Sequence, residues 1–176
     1  VAAAMARIDA ARARGVALEL VYLHLLVPAA RRLSELWQAD LCHYEEIAVG
    51  MLHLQQVLQA LSPDFSGDGQ CRSLGRRVLL LSAPGEQNML GLFMVTEFYR
   101  CVSSEFFQHA GWEVWRAPPT SRAQLLGILG SQWFDVVDVS ATCEARLPLL
   151  AGDLDDMRRA SRNPQVRVVV GGPVFS

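Results

Sequence analysis

The chain has few charged residues and no marked excess of either sign. Charged side chains make up 19% of its 176 residues, and 16 Lys and Arg oppose 18 Asp and Glu, for a formal net charge of −2. A surface that binds nucleic acids nonspecifically needs a clear excess of basic residues. The charge balance therefore argues against direct contact with DNA or RNA.

The chain also lacks a hydrophobic run long enough to cross a membrane, which requires about 18 consecutive apolar residues. The best candidate, residues 16–30, is interrupted by Glu19, His24 and Pro28. The Ala-rich start, residues 1–15, has no continuous apolar core of the signal-peptide kind. These absences predict a cytoplasmic protein that does not contact membranes.

Cysteines are few and widely scattered, at Cys42, Cys71, Cys101 and Cys143, with no Cys-x-x-Cys pair. This spacing is typical of reduced thiols and not of a zinc site or a disulfide framework. The sequence also offers no Ser-His-Asp set, no phosphate-binding loop and no paired acidic cluster with a nearby base. We therefore expect the protein not to be an enzyme.

Apolar residues, by contrast, make up 51% of the chain, which excludes intrinsic disorder. Residues 1–62 have a helical pattern throughout. One apolar stripe consists of Ile47, Met51, Leu54, Leu58 and Leu61, and another of Leu33, Leu36, Trp37 and Leu41. Pro28 is placed to open a helix. We predict four helices that bury their apolar faces in a small bundle.

A loop-like stretch, residues 63–76, is the predicted linker to a second domain at 77–176. In this domain short apolar strands alternate with helices: strands at 78–83, 113–116, 134–139 and 166–170, and helices at 90–110, 121–131 and 144–161. This alternation predicts a parallel, Rossmann-like α/β sheet of the flavodoxin-like kind with helices on both faces. Its ligands would lie at the carboxyl ends of the strands.

Both chain ends are consistent with a fragment of a longer protein. The sequence starts with Val1 and stops just after an apolar strand. We therefore expect the sheet domain to be truncated at its C-terminus.

The loop after the first strand contains Glu86, Asn88 and Gly91, and Gly111-Trp112-Glu113-Val114 follows the next helix. This order resembles the cobalamin-binding domain, whose loop carries Asp/Glu-x-His-x-x-Gly and is followed later by Gly-Trp-x-Val. The helical half is similar to the four-helix cap that precedes this domain in methyl-carrier enzymes and photoreceptors. Residues 28–37 and 54–58 resemble more narrowly the AppA/AerR/PpaA group, which regulates photosynthesis genes in purple bacteria. Asn88, at the position of the family's loop histidine, makes the AppA branch of this group the most similar.

One position departs from that family pattern. The family's loop histidine is the lower axial ligand of cobalt, and this chain has Asn88 there. An amide nitrogen has no available lone pair, so cobalamin cannot be held through this residue in the histidine-on form. Glu86 and Gly91 keep their places, and Gly91 is expected to allow a tight turn at the helix start. The helix that follows is longer than in the family by about two turns.

The resemblance implies a function in gene regulation. In the AppA branch the domain holds haem instead of cobalamin, which fits a loop without the histidine. The chain would then be a non-catalytic part of a redox- and light-responsive transcriptional antirepressor that binds a PpsR/CrtJ-type repressor and not DNA. A flavin domain would lie upstream. The alternatives are a cobalamin-binding photoreceptor of the AerR type and a corrinoid-carrying methyltransferase subunit.

The candidate cofactor-binding residues follow from the resemblance and from the strand ends. They are Trp37, His43, Glu86, Asn88, Gly91, His109, Ser140, Gly171 and Gly172. His43 and His109 are also the candidate haem-iron ligands, with His43 expected to face the cleft between the domains. His24 and His53 are expected to pack or to face solvent. Plainer interpretations stay open, with Trp37 as core, Ser140 as a helix cap and His109 as a cation at a helix end.

Overall fold

The computed structural model describes residues 1–67, 75–84, 90–117, 121–141 and 144–175. The chain divides into two compact units, residues 1–70 and 71–176. The first unit is helical, and the second contains a parallel sheet with helices. The predicted α/β fold class is thus confirmed. Within the described ranges no helix has the length and apolar character that a membrane span requires.

The first unit contains the helices α1 (Ala2–Arg12), α2 (Leu18–Val21), α3 (Val27–Gln38) and α4 (Tyr44–Gly67). A π-helical stretch, Tyr22–Leu26, joins α2 to α3 without a break. Pro28 lies in the first turn of α3 as predicted, but the chain before it is already helical. Because the proline ring crowds the carbonyl one turn earlier, the wider π turn accommodates it within a continuous helix.

The apolar stripe predicted on α4 is confirmed. Ile47, Met51, Leu58 and Leu61 are at most 4% exposed, and Leu54 is half-buried. Fully burying a side chain of this size stabilises a fold by about 1.5–3 kcal/mol. The stripe is therefore a main source of stability in the first unit.

The stripe predicted on α3 is wrong in part. Leu41 lies beyond the end of the helix and is 70% exposed, and Leu33 is only half-buried. The buried residues of α3 are the smaller Ala30 and Ser34. Helix α4 packs closely against α3 at this point. A Cβ added to Gly50 of α4 would lie only 2.8 Å from a methyl carbon of Leu33 on α3. Small residues thus determine this contact, and a count of large apolar residues misses them.

Helix α4 extends through Pro63 to Gly67, so the predicted domain boundary at residue 62 falls inside a helix. A proline within a helix removes one backbone hydrogen bond. Tertiary contacts hold this segment in place. Tyr22 and Phe65 stack with ring centroids 4.7 Å apart, and both side chains are at most 2% exposed. Arg12 and Asp64 form an ion pair beside them.

The second unit has one sheet of four parallel strands in the order β2-β1-β3-β4. The strands are β1 (Arg77–Ser82), β2 (Glu113–Arg116), β3 (Val136–Ser140) and β4 (Arg167–Gly171). The helices are α5 (Leu90–His109), α6 (Arg122–Ser131) and α7 (Leu147–Ala160), with short 3-10 turns at Glu144–Arg146 and Pro173–Phe175. The alternation of strands and helices predicted from the sequence is therefore confirmed.

Alternate residues of the strands face opposite sides of the sheet. Leu79, Leu81, Val137 and Val139 form one core cluster with residues of α6 and α7, among them Leu125, Leu129, Leu150 and Met157. Val78, Leu80 and Val136 face the other side, where Phe107 of α5 packs against them. Helices thus cover both faces of the sheet, as expected because the helices that connect parallel strands pack on the sheet faces.

The predicted cap of α6 at Ser121 is also confirmed. The Ser121 hydroxyl accepts a hydrogen bond from the backbone N–H of Gln124 at 3.3 Å, and the Gln124 side chain accepts one from the Ser121 N–H at 3.0 Å. This reciprocal pair satisfies two donors that a helix start otherwise leaves open. It begins α6 directly after the segment that leaves β2.

Candidate functional site

The strand register brings the predicted site residues Ser140, Gly171 and Gly172 to the carboxyl edge of the sheet. Ser82 at the end of β1 is aligned with Ser140, and Ser140 is aligned with Gly171 at the end of β4. Just beyond them the Ala141 N–H donates a 2.8 Å hydrogen bond to the Gly171 carbonyl. Ser140, Gly171 and the adjacent Gly172 therefore lie together, where ligands of parallel sheets bind.

The two glycines at this edge have different structural roles. Gly172 has a φ of +120°, and a Cβ there would lie 2.2 Å from the carbonyl oxygen of Ala141. Only glycine fits such a position. A Cβ on Gly171 would meet nothing within 4 Å. Gly172 is thus required by the backbone contact between adjoining strand ends, and Gly171 leaves open space at the edge.

Two buried polar groups at this edge have no hydrogen-bond partner in the described part of the chain, the Ser82 hydroxyl and the Arg146 Nε. Arg146 also donates from Nη2 to the Pro84 carbonyl at 2.6 Å, which anchors the start of the loop after β1. Buried polar groups normally have partners, so these two can serve a polar ligand. Neither Ser82 nor Arg146 is among the site residues predicted from the sequence. The alignment of the strand end at Ser82 with that at Ser140 was the available signal, and Arg146 carries no local motif.

The loop residues Glu86 and Asn88 lie outside the described residues. Gly91 lies in the first turn of α5, which begins after the carboxyl end of β1. Gly91 is therefore at the same edge as Ser140 and Gly171. The predicted turn that Gly91 would allow remains a prediction.

His109 is not brought to this edge. It ends α5, a helix of 20 residues that runs from the carboxyl edge back to the start of β2. At about 1.5 Å per residue the helix is about 30 Å long, which separates His109 from Gly91 by nearly that distance.

His43 and Trp37 belong to the first unit. His43 is exposed and directly precedes α4, where its backbone N–H donates to Glu46 Oε2 at 2.8 Å. Trp37 is half-buried in the last turn of α3. His24 and His53 are exposed, so both face solvent, which is one of their two expected placements. Among the residues that the structure describes, no group of three or more His, Cys, Asp or Glu could hold a metal ion.

The additional turns of α5 do not lie over the carboxyl edge. The predicted long helix is confirmed as one unbroken element, and its second half buries Val102 and Ser104. Phe107 packs edge-on against Trp112 with ring centroids 5.4 Å apart, close to the starts of β1 and β3. The extra length therefore covers the opposite, amino-terminal end of the sheet.

A polar cluster lies between α5 and the sheet. Arg100 is 3% exposed, pairs with Glu97 and donates to the Ala117 carbonyl at 2.8 Å, which ties α5 to the end of β2. Burial raises the pKa of Asp138 on β3 above its usual value, although a hydrogen bond from Ser103 and the charge of Arg100 both oppose this.

Cys101 lies on the same helix, and its thiol is not activated. Burial raises the pKa of this thiol, although Arg116 lies 3.6 Å from its sulfur and lowers the pKa. A thiol with a raised pKa is a poor nucleophile. Cys101 therefore gives no support to redox sensing at this position.

Comparison with known proteins found no family model that matches the chain. A protein of Rhodobacter capsulatus, named "Uncharacterized 20.5 kDa protein in bchF-crtJ intergenic region", is 24% identical over 168 residues, or 96% of this chain and 83% of that protein. The monomethylamine corrinoid protein of Methanosarcina barkeri has a similar structure, with a TM-score of 0.69 over 93% of this chain and 74% of its own. Its sequence identity is 11%, so this likeness shows the fold alone. The expected cobalamin-binding type of fold is confirmed, and membership of the AppA/AerR/PpaA group remains a prediction.

The substitution Gly172→Ala should destabilise the second unit by about 2 kcal/mol or more, because it adds strain at positive φ to an overlap with the Ala141 carbonyl. Gly171→Ala is the matched control and should change the free energy of unfolding by less than about 0.5 kcal/mol. Urea denaturation of both variants measures the difference. Equal effects of the two substitutions would contradict the close approach at Gly172.

The substitution Asp138→Asn should raise the free energy of unfolding at pH 7. The raised pKa means that the folded protein binds the Asp138 proton more tightly than the unfolded chain does. The ionised carboxylate therefore costs stability above the raised pKa, and the cost disappears below the ordinary Asp pKa of about 4. Urea denaturation at pH 7 and pH 4 should show a gain that shrinks at the lower pH. Asp155→Asn on exposed α7 is the control, and a loss of stability for Asp138→Asn at pH 7 would contradict the prediction.

Proposed function

We propose that this chain is a non-catalytic signalling module of a redox- and light-responsive transcriptional antirepressor that binds a PpsR/CrtJ-type repressor of photosynthesis genes in the cytoplasm. The observation that carries the proposal is the relative from the bchF-crtJ intergenic region, which aligns with 96% of this chain. The gene name crtJ in that description is also the name of the repressor type that the sequence resemblance implies. That description gives the location of the relative's gene, and this location supports the proposed partner.

The site chemistry supports a module that acts by protein contact. The fold is that of a corrinoid protein, but Asn88 stands where the family has its cobalt-binding histidine. Since an amide is a poor cobalt ligand, the residues present do not fit a cobalamin held through this loop. A domain that keeps its shape without this ligand is suited to recognition and not to methyl transfer.

Haem enters the proposal as a modulator only. The candidate ligands His43 and His109 belong to different units, so each is tested separately as the site of the axial haem ligand. Exposed His43 is open to solvent, and half-buried His109 lies far along α5 from Gly91. His43→Ala and His109→Ala distinguish the two sites by the loss of a haem Soret shift.

The purified chain should form a complex with a PpsR/CrtJ-type repressor and release this repressor from its operator DNA. In a gel-shift assay we expect the band of the repressor–DNA complex to decrease as the chain is added. The chain mixed with DNA alone should give no shifted band, because its net charge is −2. Size-exclusion chromatography of the mixture measures the complex directly.

The control for this experiment is the monomethylamine corrinoid protein of Methanosarcina barkeri, which has a similar fold at 11% identity. It should leave the repressor on its DNA. The proposal fails if the chain forms no complex with the repressor, or if both proteins release it equally.

A second candidate function is cobalamin binding, in a photoreceptor of the AerR type. The observation that favours it is a pair of buried groups at the carboxyl edge, the Ser82 hydroxyl and the Arg146 Nε, which have no hydrogen-bond partner among the described residues. They lie beside the open space at Gly171. A corrinoid held there in a base-off form would need no ligand from Asn88. The third candidate function is a corrinoid-carrying methyltransferase subunit, and only the fold of the structural neighbour supports it.

An absorption titration with hydroxocobalamin in dim light separates these candidates. We expect no shift of the corrin bands with the natural chain and a gain of binding with Asn88→His, because imidazole is a good ligand for a transition metal. Asn88→Gln is the matched control and should gain nothing. A stoichiometric shift with the natural chain would instead favour the photoreceptor.

A further inference from the structure

A groove of about 610 Å³ opens at the amino-terminal edge of the sheet, opposite the edge that carries Ser140 and Gly171. We call it the amino-edge groove. Its lining includes Arg76, Trp112, Trp133, Asp135, Asn163 and Arg167. This volume is in the range of ligand sites, about 300–1,000 Å³. Neither the fold nor the family resemblance gives this edge a function.

Two exposed arginines, Arg76 and Arg167, line the groove. The Arg76 guanidinium lies over the Trp112 ring, 5.5 Å from its centroid. Within the part of the chain that the structure describes, neither Arg76 nor Arg167 forms an ion pair, and both are exposed. A guanidinium can bind a carboxylate through two parallel hydrogen bonds. The pair is therefore available to bind an anion.

The acidic residues close to these arginines are already engaged. Asp135 accepts a hydrogen bond from the Arg77 N–H at 2.8 Å. Glu113 lies 3.2 Å from the Arg77 guanidinium and accepts from the Trp115 indole N–H at 3.0 Å, and both contacts lower its pKa. Among the described residues, the groove lining thus has two cations against the single carboxylate of Asp135. Its local charge is opposite to that of the chain as a whole, which is −2.

Tryptophan is concentrated at the same edge. Trp112, Trp115 and Trp133 are three of the chain's four tryptophans, and the last two are 38% and 45% exposed. Arg77 lies over the Trp115 ring at 5.1 Å, so the aromatic and cationic surface continues from the groove onto β2. Trp and Arg are enriched among the residues that dominate binding at protein interfaces. A surface that extends past the cavity fits a polypeptide better than a small molecule.

We propose that the amino-edge groove is the docking site for an acidic segment of a partner protein. Its carboxylates bind Arg76 and Arg167, and its apolar side chains pack on Trp112 and Trp133. The inference rests on the proposed function, because it names the chemistry of the surface that contacts the partner. A nucleic acid would meet the same cations but also the net negative charge of the chain, which opposes it.

The test uses the intact chain and a labelled peptide of alternating glutamate and leucine as the probe. Fluorescence anisotropy should show saturable binding that weakens with added salt, because exposed charge pairs are screened. The double variant Arg76→Gln/Arg167→Gln should weaken binding by about tenfold or more. The matched control is Arg158→Gln/Arg159→Gln, which removes the same charge from α7, where these arginines pair with Asp155 and Asp156. It should bind the peptide like the natural chain.

Several outcomes would overturn the inference. These are absence of peptide binding, equal loss in the two double variants, and equal binding of a peptide with lysine in place of glutamate. Binding of a thymidine oligonucleotide that is lost only with Arg76→Gln/Arg167→Gln would make the groove a nucleic-acid site instead.

The repressor assay then separates this inference from the proposed function. If the chain binds the peptide but not the repressor, the proposed function is contradicted, and the proposal that the amino-edge groove binds acidic segments is supported. If the repressor binds the Arg76→Gln/Arg167→Gln variant with the same affinity as the natural chain, the proposed function is supported. The amino-edge groove is then not the surface that contacts the repressor.

Discussion

Asp135 fixes the register on which the sheet domain depends. Its side chain accepts the Arg77 N–H at 2.8 Å, its own N–H donates to the Arg77 carbonyl at 2.9 Å, and its carbonyl accepts the Arg167 N–H at 3.1 Å. One residue thus aligns the starts of β1, β3 and β4. A slip by one position would turn every side chain of a strand to the opposite face of the sheet. The buried faces and both edges therefore follow from this alignment.

The same alignment does not depend on the loop that follows β1. It brings Ser82, Ser140 and Gly171 to one edge whatever the intervening loop contains. The scaffold is maintained by apolar strands, whereas the family resemblance implies that cobalt binding through the loop depends on a single side chain, at the position that Asn88 occupies here. Fold and ligand chemistry are thus separable in this domain.

The sequence predicts those parts of the molecule that depend on local patterns. Strand alternation and the Ser121 cap are visible within a few residues, and both are confirmed. The helix through Pro63 is not predictable in this way, because the stacking of Tyr22 on Phe65 joins residues far apart in the chain. The amino-edge groove is not predictable from the sequence for the same reason. Its tryptophans and arginines come from the starts of different strands and are brought together only by the strand register.

The opposite placement of the two edges has a consequence for how many molecules the domain can hold. A strand such as β3, with five residues, spans about 17 Å, so an occupant of the amino-edge groove does not overlap one beside Gly171. The two positions are sterically independent, although α5 extends from one edge to the other. The amino-edge groove therefore stays accessible whatever occupies the space beside Gly171.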